Sequence, residues 1–281
     1  MGESSPPAAP LTCMSVIIPA WNEQDCLEST IEHLHLELEL NRVPHEIVVV
    51  DDGSTDDTWN VLTRLSTRIR PLKPVRNEQL HGFGRAVVRG IEASTGDGVT
   101  IMMADASDDS RDVVRYWGKL NEGYDAVFGS RFIPGGGVID YPPLKYVLNR
   151  LANLFIRALF RSGFNDTTNA FKAYRRTTLD GLRPFLSPHF NLTVELPLKV
   201  IVRGYSWVVI PITWRNRRTG IAKFRIREMG ARYMFIVLYM WLERYFSGGD
   251  YQKAPQAGPR IADTSAAVAP AAARRPRNPV E

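Results

Sequence analysis

Short β-branched runs alternate with segments of helical periodicity along the first hundred residues of the chain. Residues 15–18 and 46–50 are predicted strands, and the apolar residues between them recur at the spacing of one helix face. The pattern continues through further helices at 60–70 and 84–93 and further strands at 75 and 99–103. Such alternation predicts an α/β fold with an open, mainly parallel, Rossmann-like sheet and helices on both faces. Ligands of such sheets bind at the carboxyl ends of the strands.

The composition is that of a globular protein. Of the 281 residues, 44% are hydrophobic and 23% are charged, which excludes disordered, collagenous and polytopic membrane chains. The two cysteines, Cys13 and Cys26, are predicted to be free thiols in a reducing compartment. The amino terminus has neither the basic region nor the apolar run of an export signal, so the predicted location is cytoplasmic.

Composition also predicts how the chain is divided. The Pro- and Ala-rich segments 1–13 and 254–281 are predicted to be disordered. The folded domain is predicted to span residues 14–224, and a basic and apolar helical region follows over 225–253.

Positive charge is concentrated before the last helix. Residues 215–232 contain seven basic residues and one acidic residue, although the whole chain has a net charge of only +5. The ten apolar residues 233–242 follow directly. As a helix they are about 15 Å long, half of a bilayer core of about 30 Å, so they cannot span it. The sequence leaves two alternatives for this helix, burial in the protein or location in a membrane interface.

A second helix strengthens the membrane alternative. Between residues 144 and 161, polar residues recur every four positions and form one narrow stripe: Lys145, Asn149, Asn153, Arg157 and Arg161. The rest of the helix surface is apolar, and this apolar surface is broader than a helix normally needs to pack against one side of a sheet. Two amphipathic helices of this kind predict a membrane-facing surface.

Acidic residues follow two of the predicted strands. Asp51 and Asp52 are adjacent, and adjacent carboxylates repel each other unless a cation or hydrogen-bond donors neutralise them. A turn followed by a helix cap would account for residues 53–56, but not for the paired acids before them. Asp105 and Asp108 form a second acidic cluster after the fourth strand. Oxygen ligands of this kind suit Mg²⁺ or Mn²⁺ shared with a substrate diphosphate.

Two other patterns carry little functional signal. Gly82 and Gly84 do not follow the first strand, so they do not form a dinucleotide-binding fingerprint. His33 and His35 lie two positions apart on a predicted helix and face different directions, which favours solvated side chains over a shared metal site.

Ordered motifs carry a family resemblance. Residues 16–23, 49–56 and 129–131 occur in the order typical of family 2 glycosyltransferases of GT-A fold. The chain resembles in particular the dolichol-phosphate mannosyltransferases and their polyprenyl-phosphate glycosyltransferase relatives, over about residues 14–230. Residues 166–176 look like that group's Asp-x-x-Ser-Gly-Phe-Arg segment, with Asn169-Ala170 in place of Ser-Gly. Residues 218–223 are similar to its Arg-x-Gly-x-Ser-Lys loop.

The metal motif departs from the family pattern. Where the family has Asp-x-Asp, this chain has Met103 at the first position and Asp105 at the second, with Ser107 at a further polar position. The resemblance implies a Mg²⁺ or Mn²⁺ site centred on Asp105. Asp108 or Asp109 would supply the missing carboxylate, or the substrate diphosphate would carry more of the coordination.

The resemblance also implies an activity and the residues that perform it. A hexose, most simply mannose from GDP-mannose, would be transferred with inversion to a polyprenyl or dolichyl monophosphate by a peripheral protein on the cytosolic face of a membrane. Asp105 and Arg131 would be catalytic, and Asp105, Ser107 and Asp108 would be the metal ligands. The expected nucleotide-sugar-binding residues are Pro19, Asn22, Glu23, Asp51, Asp52 and Gly84. The expected acceptor-phosphate-binding residues are Arg131, Arg218 and Lys223.

Other interpretations keep the fold or discard the activity. A transferase of the same fold could act on a soluble sugar or a polysaccharide with another donor such as UDP-glucose, and would then lack lipid affinity. A nucleic-acid-binding surface around the basic segment is disfavoured, because the acidic strand ends would repel the phosphate backbone. The expected partners are therefore a nucleotide sugar, a polyprenyl-phosphate lipid and a membrane surface, with a membrane-protein partner or a homo-oligomer left open.

Overall fold

The computed structural model describes residues 9–216 and 226–253. The strands within these ranges are β1 Met14–Ala20, β2 His45–Asp51, β3 Leu72–Arg76, β4 Gly98–Ile101, β5 Ala126–Ser130, β6 Gly137–Ile139, β7 Lys172–Arg175, β8 Trp207–Pro211 and β9 Thr213–Arg215. The helices of the described residues are α1 Gln24–Leu40, α2 Thr58–Ser66, α3 Phe83–Ala93, α4 Ser110–Asn121, α5 Pro143–Phe160, α6 Arg176–Gly181, α7 Leu192–Val202 and α8 Ile226–Phe246.

Seven strands form one sheet in the order β3-β2-β1-β4-β7-β5-β8. Strand β1 pairs in parallel with β2 and β4, with Ala20 opposite Asp51 and Ile17 opposite Ile101. The β2–β3 and β5–β8 pairs are also parallel, whereas β7 runs antiparallel between β4 and β5. The predicted open, mainly parallel α/β sheet is confirmed. Strands β6 and β9 form a separate parallel pair.

The central strands are apolar on both faces because helices cover both faces of the sheet. In β1, Val16 and Ile18 pack into one apolar layer with residues of α1, α2 and α4. Ile17 points to the other face and packs with residues of α3 and α7. This alternation is the period-2 geometry of a strand, and it explains why all seven residues of β1 are buried.

Helix α5 differs from α1 in the kind of residue that it turns towards the protein. In α1 the apolar residues Leu27, Ile31, Leu34 and Leu38 are buried against the sheet. In α5 the middle of the polar stripe points inward, although Arg157 and Arg161 are exposed. Asn149 Nδ2 donates to Thr168 Oγ1 at 2.7 Å, and Asn153 Oδ1 accepts from the Thr167 N–H at 2.6 Å. Large apolar residues of α5 are exposed instead, namely Leu144, Val147, Leu148, Leu151, Leu154 and Phe155.

Helix α8 divides its apolar residues between the protein and the outside. Ile236, Val237 and Met240 are buried against α5 and α7. The buried ion pair between Arg203 and Glu243, with N–O distances of 2.8 and 3.1 Å, ties α8 to the end of α7. The exposed large apolar residues of α8 are Met234, Phe235, Leu238, Leu242, Tyr245 and Phe246. One face of this helix is therefore buried in the protein, and the location of its exposed apolar face in a membrane interface stays a prediction. Within residues 9–216 and 226–253, no helix has the length and apolar character needed to cross a bilayer.

The amino-terminal boundary needs a correction. Residues 11–13, predicted to be part of a disordered segment, are held to the folded domain by hydrogen bonds. The N–H groups of Thr12 and Cys13 donate to the Asp97 carboxylate at 2.8–3.0 Å, and the Leu11 N–H donates to Asn121. The Asp97 carboxylate and the Asn121 side-chain amide, both distant in sequence, supply these acceptors. Residues 1–8 and 254–281 lie outside the described residues.

Candidate active site

The loops that follow β1 and β2 are locked together at the carboxyl edge of the sheet. Asn22, which has a positive φ of 54°, donates its N–H to Ser54 Oγ at 3.0 Å and accepts the Thr55 N–H at 2.8 Å. The Glu23 N–H donates to Thr58 Oγ1 at 3.0 Å. Two of the predicted nucleotide-sugar-binding residues, Asn22 and Glu23, therefore lie in loops that hydrogen bonds hold together, and Pro19 lies near the end of β1 that leads into them.

Hydrogen-bond donors and the Arg76 side chain neutralise the paired acids at the end of β2. Asp51 accepts the Ser54 N–H at 3.0 Å and lies 3.6 Å from the Arg76 guanidinium. One Asp52 oxygen accepts from Asn77 Nδ2 and the other from the Gly82 N–H, both at 2.7 Å. Asp52 thereby positions the loop between β3 and α3.

Gly84 lies at the start of α3, where the chain approaches another backbone segment. A Cβ atom at this position would lie 2.1 Å from the Ser187 carbonyl oxygen and 2.9 Å from that of His189. Close packing against residues 187–189 therefore explains the glycine without any bound ligand. Its predicted contact with the nucleotide sugar stays a prediction.

The two acidic clusters share one edge of the sheet. Asp52 directly follows β2 and Asp105 follows β4, and both strands pair in parallel with β1. Two strand spacings separate these strands, about 10 Å. The structure thus brings the two predicted acidic groups to a common edge.

The loop after β4 folds back on itself. The Asp108 carboxylate accepts the Met103 N–H at 3.0 Å, which places it beside the residue at the first Asp-x-Asp position. Asp109 caps α4 and pairs with Arg111 at 2.5 Å. Of the two acids that could replace the missing carboxylate, Asp108 lies beside Met103, whereas Asp109 is used to cap α4.

The donor set in this loop fits a divalent cation. Asp105 Oδ1 accepts the Ser107 N–H at 3.2 Å, and Ala106 between them has a positive φ of 57°. The Ser107 hydroxyl is buried and has no hydrogen-bond partner among the described residues. Burial raises the pKa of Asp108 to about 7, because it outweighs the Met103 N–H, which lowers the pKa; the nearby Asp105 adds a smaller upward shift. A buried oxygen without a partner and two neighbouring carboxylates are what Mg²⁺ or Mn²⁺ would satisfy.

Arg131 is buried in an ion pair. Its backbone N–H, Nε and Nη2 all donate to the Asp166 carboxylate, at 3.0, 2.8 and 2.7 Å. The Asp166 side chain is fully buried and that of Arg131 is 6% exposed. Because this fork uses two of the five guanidinium N–H groups, Asp166 fixes the orientation of Arg131. The other two predicted acceptor-binding residues, Arg218 and Lys223, lie outside the described residues.

Aromatic rings and cations surround Arg131 next to α5. We define this aromatic–cation cluster as Arg131, Lys145 and Arg150 with Phe132, Tyr141 and Trp214. Each cation lies over at least one ring of the cluster, at 4.3–5.6 Å from the ring centroid. Trp214 also forms an isolated β-bridge with Asp108. The cluster therefore connects the acidic loop after β4 with the amino-terminal half of α5.

Two buried residues beside the site were not among the predicted site residues. Asp166 holds Arg131, and the signal for it is that a buried arginine requires a buried acid. Lys172 lies in β7 and donates to the carbonyl oxygens of Thr167, Asn169 and Thr193. Burial lowers the pKa of Lys172 to about 7. A lysine inside the apolar run Ala170-Phe171-Lys172-Ala173-Tyr174 is the corresponding sequence signal.

Comparison with known proteins decides the family. The family model described as Glycosyl transferase family 2 matches residues 15–183, more than half of the chain. The chain belongs to glycosyl transferase family 2. The predicted resemblance is confirmed, and the protein is a glycosyltransferase.

Two relatives of this glycosyltransferase extend the match beyond residue 183. The polyprenol monophosphomannose synthase of Mycolicibacterium smegmatis is 30% identical over 252 residues, which cover 82% of this chain and 92% of that protein. The dolichol-phosphate mannosyltransferase of Pyrococcus furiosus is 30% identical over 216 residues, 75% of this chain and 59% of that protein.

Solved structures support the GT-A fold of this glycosyltransferase. Glucosyl-3-phosphoglycerate synthase from Mycobacterium tuberculosis, in complex with Mn²⁺, uridine diphosphate and glucosyl-3-phosphoglycerate, superposes with a TM-score of 0.63. Sequence identity is 23%, and the match covers 82% of this chain and 79% of that one. Another structure of the same enzyme contains Mg²⁺ and uridine diphosphate. These neighbours bind a divalent metal and a nucleotide in the fold that this chain shares.

Proposed function

We propose that this glycosyltransferase transfers mannose from GDP-mannose to a polyprenyl or dolichyl monophosphate, with inversion, at the cytosolic face of a membrane. The observation that carries the proposal is the position of the aromatic–cation cluster between the acidic loop after β4 and the exposed apolar face of α5. A cationic cluster beside an apolar surface suits a lipid with an anionic headgroup. The names of the two relatives, both 30% identical to this chain, support the same substrates.

The apolar faces of α5 and α8 support a peripheral membrane contact. Arg244, near the end of α8, donates to the Phe160 carbonyl oxygen at the end of α5, so the carboxyl ends of these helices lie together. Exposure of their leucine, valine, methionine and phenylalanine side chains to water is unfavourable, and transfer of these side chains into the acyl region of a bilayer would lower the free energy. The polyprenyl chain would then remain in lipid while its phosphate reaches the protein.

The donor would bind at the carboxyl edge of the sheet. Pro19, Asn22, Glu23, Asp51, Asp52 and Gly84 are the proposed residues of the nucleotide-sugar pocket. Asp105, Ser107 and Asp108 would hold Mg²⁺ or Mn²⁺ beside the donor diphosphate. When bound, the cation would offset the negative charge that develops on the departing nucleoside diphosphate.

The acceptor needs positioning more than it needs activation. A phosphate monoester has a second pKa of about 6, so it is largely ionised at pH 7 and requires no general base. Arg131, held by Asp166, would direct its remaining N–H groups at the acceptor phosphate, with Arg218 and Lys223 contributing further positive charge. Attack by a phosphate oxygen forms the new bond to the anomeric carbon as the bond to the diphosphate breaks, which inverts the configuration.

A transfer assay tests the proposal. The full chain is incubated with radiolabelled GDP-mannose, UDP-glucose or UDP-N-acetylglucosamine and with vesicles that contain polyprenyl phosphate, with and without Mn²⁺. We expect metal-dependent transfer of mannose into the lipid fraction. Transfer from a UDP-sugar would correct the donor, and transfer only to water-soluble acceptors would overturn the lipid assignment.

Flotation with liposomes tests the apolar face of α5. Substitution of both Leu151 and Leu154, which are 58% and 61% exposed, by serine should reduce the fraction bound to vesicles at least about tenfold, because it removes roughly 2–4 kcal/mol of apolar burial. The matched control is Leu40→Ser, which alters a leucine that is 70% exposed on α1. Equal binding of the double variant and the control would exclude α5 from the membrane contact.

Arg131→Lys tests the acceptor role without leaving Asp166 unpaired. Alanine at this position would strand a buried carboxylate, whereas lysine keeps the charge but loses the planar fork. We expect transfer to polyprenyl phosphate to fall roughly 100-fold, with nucleotide-sugar affinity changed by less than about threefold. A parallel loss of donor affinity and transfer would assign Arg131 to the donor site instead.

A further inference from the structure

Three metal-ligand side chains meet at the edge of the sheet opposite the candidate active site. His35 and Glu39 lie one turn apart on α1, and His45 is the first residue of β2. Their ligand atoms all lie within 4.8 Å of one another, and His35 Nδ1 is 3.0 Å from His45 Nε2. The pairing of His35 with His45, rather than with His33, was not visible in the sequence.

The spacing of the two imidazoles suits a tetrahedral zinc ion. With Zn–N distances of about 2.0–2.1 Å, two nitrogen ligands at a tetrahedral angle lie about 3.3 Å apart. The observed 3.0 Å differs by a few tenths of an ångström. Two imidazoles and one carboxylate leave a fourth position for water, a donor set that zinc accepts.

A hydrogen bond orients one of these ligands. His45 Nδ1 lies 2.8 Å from the Val43 carbonyl oxygen, an acceptor, so Nδ1 carries the proton and the Nε2 lone pair points away from it. A second ring nitrogen that donates to a backbone carbonyl is the usual arrangement around a metal-bound histidine. This bond therefore presents Nε2 to His35 and Glu39 in the form that binds a metal.

We propose that His35, Glu39 and His45 form a zinc site that is separate from the catalytic cation site. His45 and Asp51 are at opposite ends of β2, seven residues long, so the two sites lie about 20 Å apart. A cation held here cannot contact a donor at the other edge of the sheet. It joins the carboxyl end of α1 to the start of β2 across residues 41–44, and its role is to stabilise this connection.

Calorimetry on the untagged full chain tests the site. The protein is stripped with chelator and titrated with Zn²⁺ in excess Mg²⁺, which occupies sites of hard oxygen ligands. We expect one saturable zinc ion per chain. Glu39→Gln and His35→Gln should each weaken zinc binding at least about tenfold. The matched control is His33→Gln, which removes an exposed histidine two residues away on the same helix and should bind zinc like the original protein.

Two spectroscopic readouts complete the test. Glu39 is exposed, so Glu39→Gln should fold normally, and far-UV circular dichroism checks both variants. At a zinc concentration about 100 times the Kd of the original protein, the melting temperature of that protein and of His33→Gln should rise by about 5 °C, and that of Glu39→Gln should rise by about half as much or less. Co²⁺ should give the visible absorption of a tetrahedral site in the original protein and in His33→Gln. Absence of saturable binding, or zinc binding unchanged in both ligand variants, would overturn the proposal.

Discussion

Two buried carboxylates at opposite ends of the same sheet have opposite environments. Glu46, the second residue of β2, accepts hydrogen bonds from Ser15 Oγ at 2.6 Å, from the Thr95 N–H at 2.5 Å and from the Gly96 N–H at 3.0 Å, and it pairs with Lys73. Burial opposes its ionisation, but these donors outweigh burial and lower the pKa of Glu46 to about 2.

Asp108, at the carboxyl edge, accepts the Met103 N–H and lies near a second carboxylate, Asp105. Burial dominates there and raises the pKa of Asp108 to about 7. We propose that this difference separates the end of the sheet that is built for stability from the end that is built for binding. Partners within the protein stabilise the ionised carboxylate of Glu46, whereas the ionised carboxylate of Asp108 would be stabilised by a bound cation.

The largest expected effect is on catalysis. Asp108→Asn should lower turnover roughly 100-fold or more, because a charge that stabilises the departing diphosphate through the cation is lost. Its stability in chelator at pH 8 should be unchanged or higher, because the amide removes a buried charge whose folded-state pKa is raised. Steady-state transfer rates and urea denaturation measure the two quantities. Full activity in this variant would make Asp108 another structural acid.

Glu46→Gln should show the reverse. A carboxyl whose pKa is 4.5 in the unfolded chain and about 2 in the folded protein contributes about 3 kcal/mol of stability above pH 4.5, and this contribution disappears as the pH falls towards 2. The free energy of unfolding of Glu46→Gln at pH 7 should be lower than that of the original protein by about that amount. Between pH 4.5 and 2 it should fall less steeply than that of the original protein. Urea denaturation over that pH range measures both. Its transfer rate at 25 °C should match that of the original protein, and a large drop would remove the distinction between the two edges.

The smallest expected effect concerns the partner of Glu46. The Lys73 side chain is 45% exposed, while that of Glu46 is 6% exposed. Solvent therefore screens the Lys73 charge, and Lys73→Gln should cost about 1 kcal/mol or less. Denaturation of Lys73→Gln, Glu46→Gln and the double variant gives their coupling energy. A loss from Lys73→Gln as large as that from Glu46→Gln would mean that the ion pair, rather than the backbone donors, stabilises this edge.

Much of the fold and part of the site followed from local sequence patterns. The strands and helices of the first hundred residues occur close to their predicted positions, because β-branched runs and helical periodicity reflect interactions within each segment. The same holds for the acidic residues that follow β2 and β4. Parallel strands end at one edge of a sheet, so their meeting place could be predicted before the structure was known.

Contacts between distant segments decided the rest. Periodicity showed that α5 has a polar and an apolar side, but the side that faces the protein depended on Thr167 and Thr168, which offer partners to Asn149 and Asn153. The buried partner of Arg131, the approach of His45 to His35, and the choice of Asp108 over Asp109 likewise depend on chain folding. A sequence determines what each side chain can donate, accept or bury, whereas only the tertiary structure determines which neighbours meet that requirement and which groups are left to bind a ligand.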